Sequence, residues 1–298
     1  MTTPPPPYAQ EFLDRGTDRL SLHVYPEPVE AHAPVVIVWP AMGTPARYYR
    51  PLAERLGAAG LAVIVVDLRG VGSSTPRPSR RSRYGYAELA GDVGAVVEGL
   101  GPKLDGRRLL LLGHSLGGQA CALHLALAAD AGREVRGVDG LVLVAVGLPW
   151  YRSYLKGSWG VLGYTQWVVA VTALLRVWPG WGFGGRQARG VIRDWGFTAR
   201  HGRFPPIDGQ DAEAALRTMR TPVLAISVDD DKYTPAPTLD HLCAKMAAAS
   251  VERVHVTAGE AGAPLDHFKW VRAAGPIASR VATFASAGRR DLPEPRRG

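Results

Sequence analysis

The residues best suited to chemistry in this chain begin with Gly113-His114-Ser115-Leu116-Gly117-Gly118, which directly follows the run Leu109–Leu112. A stretch of helical length, Gly117–Ala129, comes next. A G-x-S-x-G between a strand and a helix forces its serine onto a sharp, strained turn, with the hydroxyl raised above the sheet near the positive end of the helix. Side chains at the two flanking positions would strike the neighbouring strand and helix, so glycine is needed there. Ser115 is therefore the candidate nucleophile, and His114, beside it, is expected to point away and pack.

A serine hydroxyl needs a base, and that base needs a third group to orient it. The chain order that goes with this turn is serine, then an acid, then histidine. After the apolar run Val223–Val228 come Asp229, Asp230 and Asp231 in Asp-Asp-Asp-Lys-Tyr-Thr-Pro, with Lys232, Tyr233, Thr234 and Pro235 completing it. An acid just past a strand end shares a sheet edge with Ser115, but three adjacent aspartates leave the choice open. Only His255 and His267 follow them. His255 sits within the strand-like Arg253–Thr257 and reads as structural. His267, in Asp266-His267-Phe268-Lys269-Trp270, lies in the loop after the last strand and is the candidate base. Acyl transfer also needs N–H donors for the oxyanion. One is expected at Leu116, after the nucleophile, and the other in Pro40-Ala41-Met42-Gly43; Pro40 has no N–H, so Met42 comes first and Ala41 second.

These residues need a scaffold, and the hydropathy pattern supplies one. Apolar runs recur at Leu20–Tyr25, Val35–Trp39, Leu61–Leu68, Leu109–Gly113, Leu141–Val146, Val223–Val228 and Arg253–Thr257. Several are continuously apolar, as strands buried on both faces are, which predicts a mostly parallel sheet flanked by helices. Helical stretches are expected at Tyr48–Ala59, Tyr86–Leu100, Gly117–Ala129, Thr238–Ala249 and Pro276–Ala287, giving an α/β fold. The beat breaks from Leu148 to Arg217, where six of the eight tryptophans fall. That segment is expected to be a helical lid inserted after the sixth strand, overhanging the ligand crevice. Trp150 and Trp195 are the candidates for lining an apolar acyl pocket. The organisation expected is a flexible Pro-rich start (1–19), a core (20–147 and 218–287), the lid (148–217) and a basic tail (288–298).

Composition narrows the alternatives. The chain has 298 residues, 46% hydrophobic and 21% charged, long enough for a sizeable core and too apolar for disorder. Two cysteines, Cys121 and Cys243, cannot build a disulfide framework and read as buried helix residues. No cluster has metal-ligand spacing, so neither metal nor other cofactor is expected. The start has four prolines and no apolar signal core, and the nine-residue run Trp167–Leu175 is short of the roughly 20 residues a bilayer crossing needs. No membrane span and a cytoplasmic protein are expected. The net charge is +8, and 30 of the 35 cations are arginine. No nucleic-acid-binding module is recognisable. Arg77, Arg80, Arg81 and Arg83 in one loop, and Arg186, Arg189, Arg193, Arg200 and Arg203 in the lid, suggest positive potential around a site that takes a small, anionic acyl substrate. The oligomeric state is not written in the sequence.

From Leu20 to Ala287 the sequence resembles the α/β-hydrolase superfamily. The resemblance rests on the Pro40–Gly43 loop, Asp67-Leu68-Arg69-Gly70-Val71-Gly72-Ser73-Ser74, the Gly113–Gly118 turn, the Asp229–Pro235 turn and the His267 loop. It extends to a group of predicted hydrolases of undefined substrate, similar in PAMGTPARYYRPLAERL, GHSLGGQA, DDDKYTP and DHFKWVR. In the superfamily the acid commonly stands four residues before a proline, which implies Asp231, with Asp230 as runner-up. The usual His-Gly before the oxyanion donor is Pro40-Ala41 here, and Val228 replaces a common glycine. The resemblance implies a serine hydrolase acting on an ester, thioester or related acyl bond through Ser115, Asp231 and His267. An acyltransferase would use the same residues, and a non-catalytic binding protein on the same fold is a further alternative.

Overall fold

The structure, a computed structural model, describes residues 6–30, 32–132, 137–154 and 158–287. Eight strands form one sheet: β1 (Ala9–Arg15), β2 (Asp18–Val24), β3 (Val35–Trp39), β4 (Ala62–Val66), β5 (Leu109–His114), β6 (Gly140–Val144), β7 (Val223–Val228) and β8 (Val251–Val256). Their order across the sheet is β1-β2-β4-β3-β5-β6-β7-β8. The pairings from β4 to β8 are parallel, and β1–β2 and β2–β4 are antiparallel. Every residue of β3 to β7 is buried, which is why these strands read as unbroken apolar runs.

Alternation sends their side chains to two layers. Val35, Ile37, Leu109 and Leu111 face the layer holding α2 (Tyr86–Gly99) and α3 (Leu116–Asp130). Val36, Val38, Leu110 and Leu112 face α1 (Arg50–Ala58) and the C-terminal α8 (Gly275–Ala287). Between β6 and β7 lies the helical insertion, with α4 (Ser158–Leu175), α5 (Arg189–His201) and α6 (Ala212–Thr218). A two-residue ribbon, Val177–Trp178 against Gln187–Ala188, joins α4 to α5. The helix α7 (Ala236–Cys243) follows β7.

Two expectations are corrected. The start is not flexible to residue 19, because Ala9–Arg15 pairs along its whole length with β2. Its residues are mostly exposed and show no apolar alternation in the sequence; backbone pairing, a Gln10–Ser21 hydrogen bond of 2.9 Å, Leu13 packed against the core and an Arg15–Asp92 ion pair of 3.3 Å hold it. The apolar stretch around Trp167 is also longer than nine residues. The whole of α4, 18 residues with mean hydropathy 1.2, is long and apolar enough by length and composition to cross a bilayer, because Gln166 and the threonines interrupt the run without ending the helix. Residues 1–5 and the basic tail at 288–298 lie outside the described residues.

Candidate active site

The sheet reverses its winding between β3 and β5, which is where ligand crevices open in such folds. Register places Trp39 opposite Gly113, so the loop after β3 and the turn after β5 leave the sheet side by side. Ser115 sits at φ 51°, ψ −120°, a left-handed backbone held by its surroundings. A Cβ on Gly113 would lie 2.1 Å from Gly118 Cα, and one on Gly117 would lie 2.2 Å from the Trp39 carbonyl oxygen. The turn therefore closes only with glycine at both positions.

The three aspartates separate cleanly. Asp229 accepts from the Ala258 N–H at 2.8 Å and lies 2.9 Å from His255 Nε2. The Ala258 bond and then the histidine hold its carboxyl below the usual range. Asp230 takes φ 55° on an exposed turn. Asp231 is buried, with its two oxygens 3.0 and 2.9 Å from His267 Nδ1. It also accepts from the N–H groups of Tyr233 and Thr234 and from the Thr234 hydroxyl, at 2.7–2.9 Å. Four donors around one carboxylate fix its orientation. His255 is instead tied to Ser227 Oγ at 2.9 Å, on the edge strand.

The loop after β3 is held with equal care. The Ala41 N–H donates to the Tyr49 hydroxyl at 2.8 Å, and the same oxygen lies 2.7 Å from His114 Nδ1. With its N–H engaged, Ala41 is removed as an oxyanion donor and Met42 is left as the donor candidate beside Leu116. The ring centre of His114 is 4.7 Å from that of His267. Burial, and then the neighbouring His267, hold His114 far below the usual histidine range, so it stays neutral.

Ala41, Met42, Ser115, Leu116, Trp195 and His267 all line one cavity of about 690 Å³. Asp231 stands behind His267 rather than in the cavity wall. Trp150 is a correction: it stacks on His241, with ring centres 4.7 Å apart, and closes over Gly202. These contacts place it against α7 and the residue that ends α5, and it is not among the residues that line the cavity. The arginine clusters do not line the cavity either. Arg186 Nε donates to the Pro78 carbonyl and Arg193 pairs with Asp194, so the two cationic segments are pinned to the protein. Among the described residues the lining includes one lysine, Lys232, and no arginine.

Several wall residues carry little sequence signal. Gln119 accepts from the Tyr86 hydroxyl at 2.7 Å and donates to the Gly147 carbonyl at 2.6 Å, so the floor of the cavity is pinned to α2 and to the loop after β6. The glycine-rich loop Gly180–Gly185 packs on Met42 and Gly43, where a Cβ on Gly43 would lie 2.1 Å from the Gly184 oxygen. The crowded glycines of that loop were its only visible mark. Buried Asp194 accepts from the Tyr86 N–H at 2.9 Å and ties the insertion to the core. Burial pushes the Cys243 thiol up to about 11 and Cys121 well above its usual value, so neither is a reactive thiol.

A mostly parallel sheet carrying serine after β5, a carboxylate after β7 and histidine after β8 defines the α/β-hydrolase class. The comparisons agree. The model of the alpha/beta hydrolase family matches residues 35–285, and the chain belongs to that family. Among solved structures it is similar to Est1E from Butyrivibrio proteoclasticus with ferulic acid bound, at 15% identity and a TM-score of 0.63 over 93% of this chain and 99% of that one. It is similar to the enol-lactonase from Burkholderia xenovorans LB400, at 17% identity and 0.59 over 93% and 100%. A thioesterase domain from the curacin biosynthetic pathway gives 17% identity and 0.58 over 93% and 99%. At these identities the likeness is one of fold.

Proposed function

We propose that the protein is a serine hydrolase that cleaves a carboxylic ester, thioester or related acyl bond. One observation carries this: His267 is clamped through Nδ1 by both oxygens of a buried aspartate, while its ring shares a cavity wall with a serine on a strained strand–helix turn. Ser115 Oγ attacks the acyl carbonyl and passes its proton to His267 Nε2. The tetrahedral oxyanion is received by the N–H groups of Met42 and Leu116. His267 then returns the proton to the leaving group as the C–O or C–S bond breaks. Water, deprotonated by His267, releases the acid and restores Ser115. Asp231 keeps the Nδ1–H tautomer and offsets the imidazolium charge.

The lining supports an acyl group of largely apolar character, with Met42, Leu116, Val161, Phe183, Trp195 and Phe268 in the wall. Relatives in fold that are named as enol-lactonase and thioesterase support the same bond class. A fluorophosphonate probe labels the folded protein at Ser115 and not the Ser115→Ala variant. Folded protein that resists the probe sinks the proposal. Product analysis with added alcohols or amines separates hydrolysis from acyl transfer.

A further inference from the structure

The helix α4 is built the wrong way round for a helix that meets only water and protein. Its buried residues are Thr165, Val168 and Thr172, and the two threonine hydroxyls are satisfied by carbonyls of their own helix, Leu162 and Val168. Its outward stripe carries Trp159, Tyr164, Trp167 and Leu174, at 73, 43, 47 and 82% exposure. The spacing of these four is helical, so they form one continuous ridge. Trp181, 58% exposed, lies beyond the C-terminal end, and its ring packs on Trp178, which in turn meets Trp167. No residue of α4 is charged. Soluble proteins rarely leave so large an apolar surface uncovered without a partner for it.

Charge identifies the partner. Between Leu148 and Ile207 the sequence has seven arginines and one lysine against a single acid, Asp194, which is buried. Exposed Arg152 lies beside Tyr151, whose ring is 5.5 Å from that of Trp159 at the start of α4. Exposed Arg176 directly follows its end. A second copy of the chain fits this face poorly, because two-fold pairing brings arginine to arginine at both ends of the helix, between partners of the same sign. An anionic lipid surface satisfies both features at once: indole and phenol rings favour the water–lipid boundary, and arginines meet the headgroups.

The geometry points to an interfacial docking surface: α4 lies flat on an anionic bilayer, its aromatic ridge in the headgroup region. It does not cross the bilayer. Gln166 Nε2 donates to the Gly196 carbonyl at 3.1 Å, and Val169 packs so closely that a Cβ on Gly196 would lie 2.1 Å from its Cγ2. A crossing would tear the helix from α5, whereas docking leaves every such contact intact. The ridge is also continuous with the cavity, since Tyr164 belongs to both. Apolar acyl compounds dissolved in the membrane would reach the wall of the cavity without passing through bulk water.

The test is co-sedimentation of the full chain with vesicles of phosphatidylcholine alone and of phosphatidylcholine and phosphatidylglycerol in equal parts. The wild type pellets with the anionic vesicles, its tryptophan emission shifts to the blue, and added salt releases it. The pair Trp159→Gln with Leu174→Gln, exposed positions away from the cavity wall, weakens partitioning by about tenfold to a hundredfold. Arg152→Gln with Arg176→Gln weakens it at low salt alone. The apolar pair retains its melting temperature and its turnover of p-nitrophenyl acetate. Ser115→Ala binds vesicles like the wild type, which keeps docking separable from catalysis. Wild-type protein that stays in the supernatant with both vesicles overturns the inference. So does an apolar pair that binds undiminished, or a dimer in sedimentation velocity that the same pair dissolves.

Discussion

The Tyr49 hydroxyl accepts the Ala41 N–H at 2.8 Å and stands 2.7 Å from His114 Nδ1, so one buried oxygen joins the loop after β3 to the strand that leads into Ser115. The loop that carries Met42 and the strand that leads into Ser115 are thereby tied to each other. In the proposed mechanism Tyr49 touches no reacting atom, and any effect on turnover passes through the position of Met42.

Tyr49→Phe removes this link and leaves the Ala41 N–H and His114 without their partner. Stability falls by about 1–3 kcal/mol, the ordinary result of orphaning buried polar groups. If the hydroxyl positions the oxyanion loop, kcat falls by about tenfold or more while KM for a soluble ester changes little, since a lost donor alone costs about 10²–10³. Steady-state kinetics together with urea unfolding separate this result from a purely structural role, which would move stability alone.

The aspartate turn gives a sharper contrast. Asp231→Asn lowers kcat by about 10³–10⁴, because an amide no longer fixes the Nδ1–H tautomer of His267. Asp230→Asn, on an exposed left-handed turn, changes kcat by less than about threefold, and asparagine is well suited to that backbone. Equal losses in the two variants would overturn the assignment of the acid.

Buried His114 makes stability depend on pH. Its folded-state value lies well below the ordinary one, whereas the unfolded imidazole titrates near about 6.5. Below that pH the unfolded chain binds the extra proton, so stability is fully present above about 6.5 and declines as the pH falls, by up to about 1.4 kcal/mol per unit. His23, also lowered chiefly by burial, adds to the slope. In His114→Gln the dependence of the urea midpoint on pH below about 6.5 becomes shallower without vanishing.

Lys232 is a cation that the described cavity wall offers to a charged substrate. Lys232→Glu lowers kcat/KM for a monoester of a dicarboxylic acid by about thirtyfold relative to the neutral ester of the same length, the scale of one solvated charge contact changed from about 1 kcal/mol favourable to about 1 kcal/mol unfavourable. A ratio that does not move would remove charge from the specificity of this site.

Much of this protein is local, and what is local was readable in the residues. Ser115 is confined to its turn by the glycines on either side, and each of those glycines is demanded by a backbone atom that strand–turn–helix order brings close. The unbroken apolar runs from Val35 to Val228 reflect strands covered on both faces, a property each run carries within itself. β1 carries no apolar periodicity that a sequence can show, because it is held by pairing with β2 and by single distant contacts of Leu13 with the core and of Arg15 with Asp92. Three adjacent aspartates look alike in sequence, and only the direction in which each leaves β7 decides that Asp231 reaches His267. Trp150 and Trp195 look alike too, and only the packing of the insertion sends one to His241 and the other to the cavity. The arginines are as numerous as the sequence says, but their place is set by distant partners such as Pro78 and Asp194. The α4 helix shows the division most plainly: its apolar composition is in the sequence, while the choice of Thr165 and Thr172 for the inside and Trp159 and Leu174 for the outside was made by the surface it packs against.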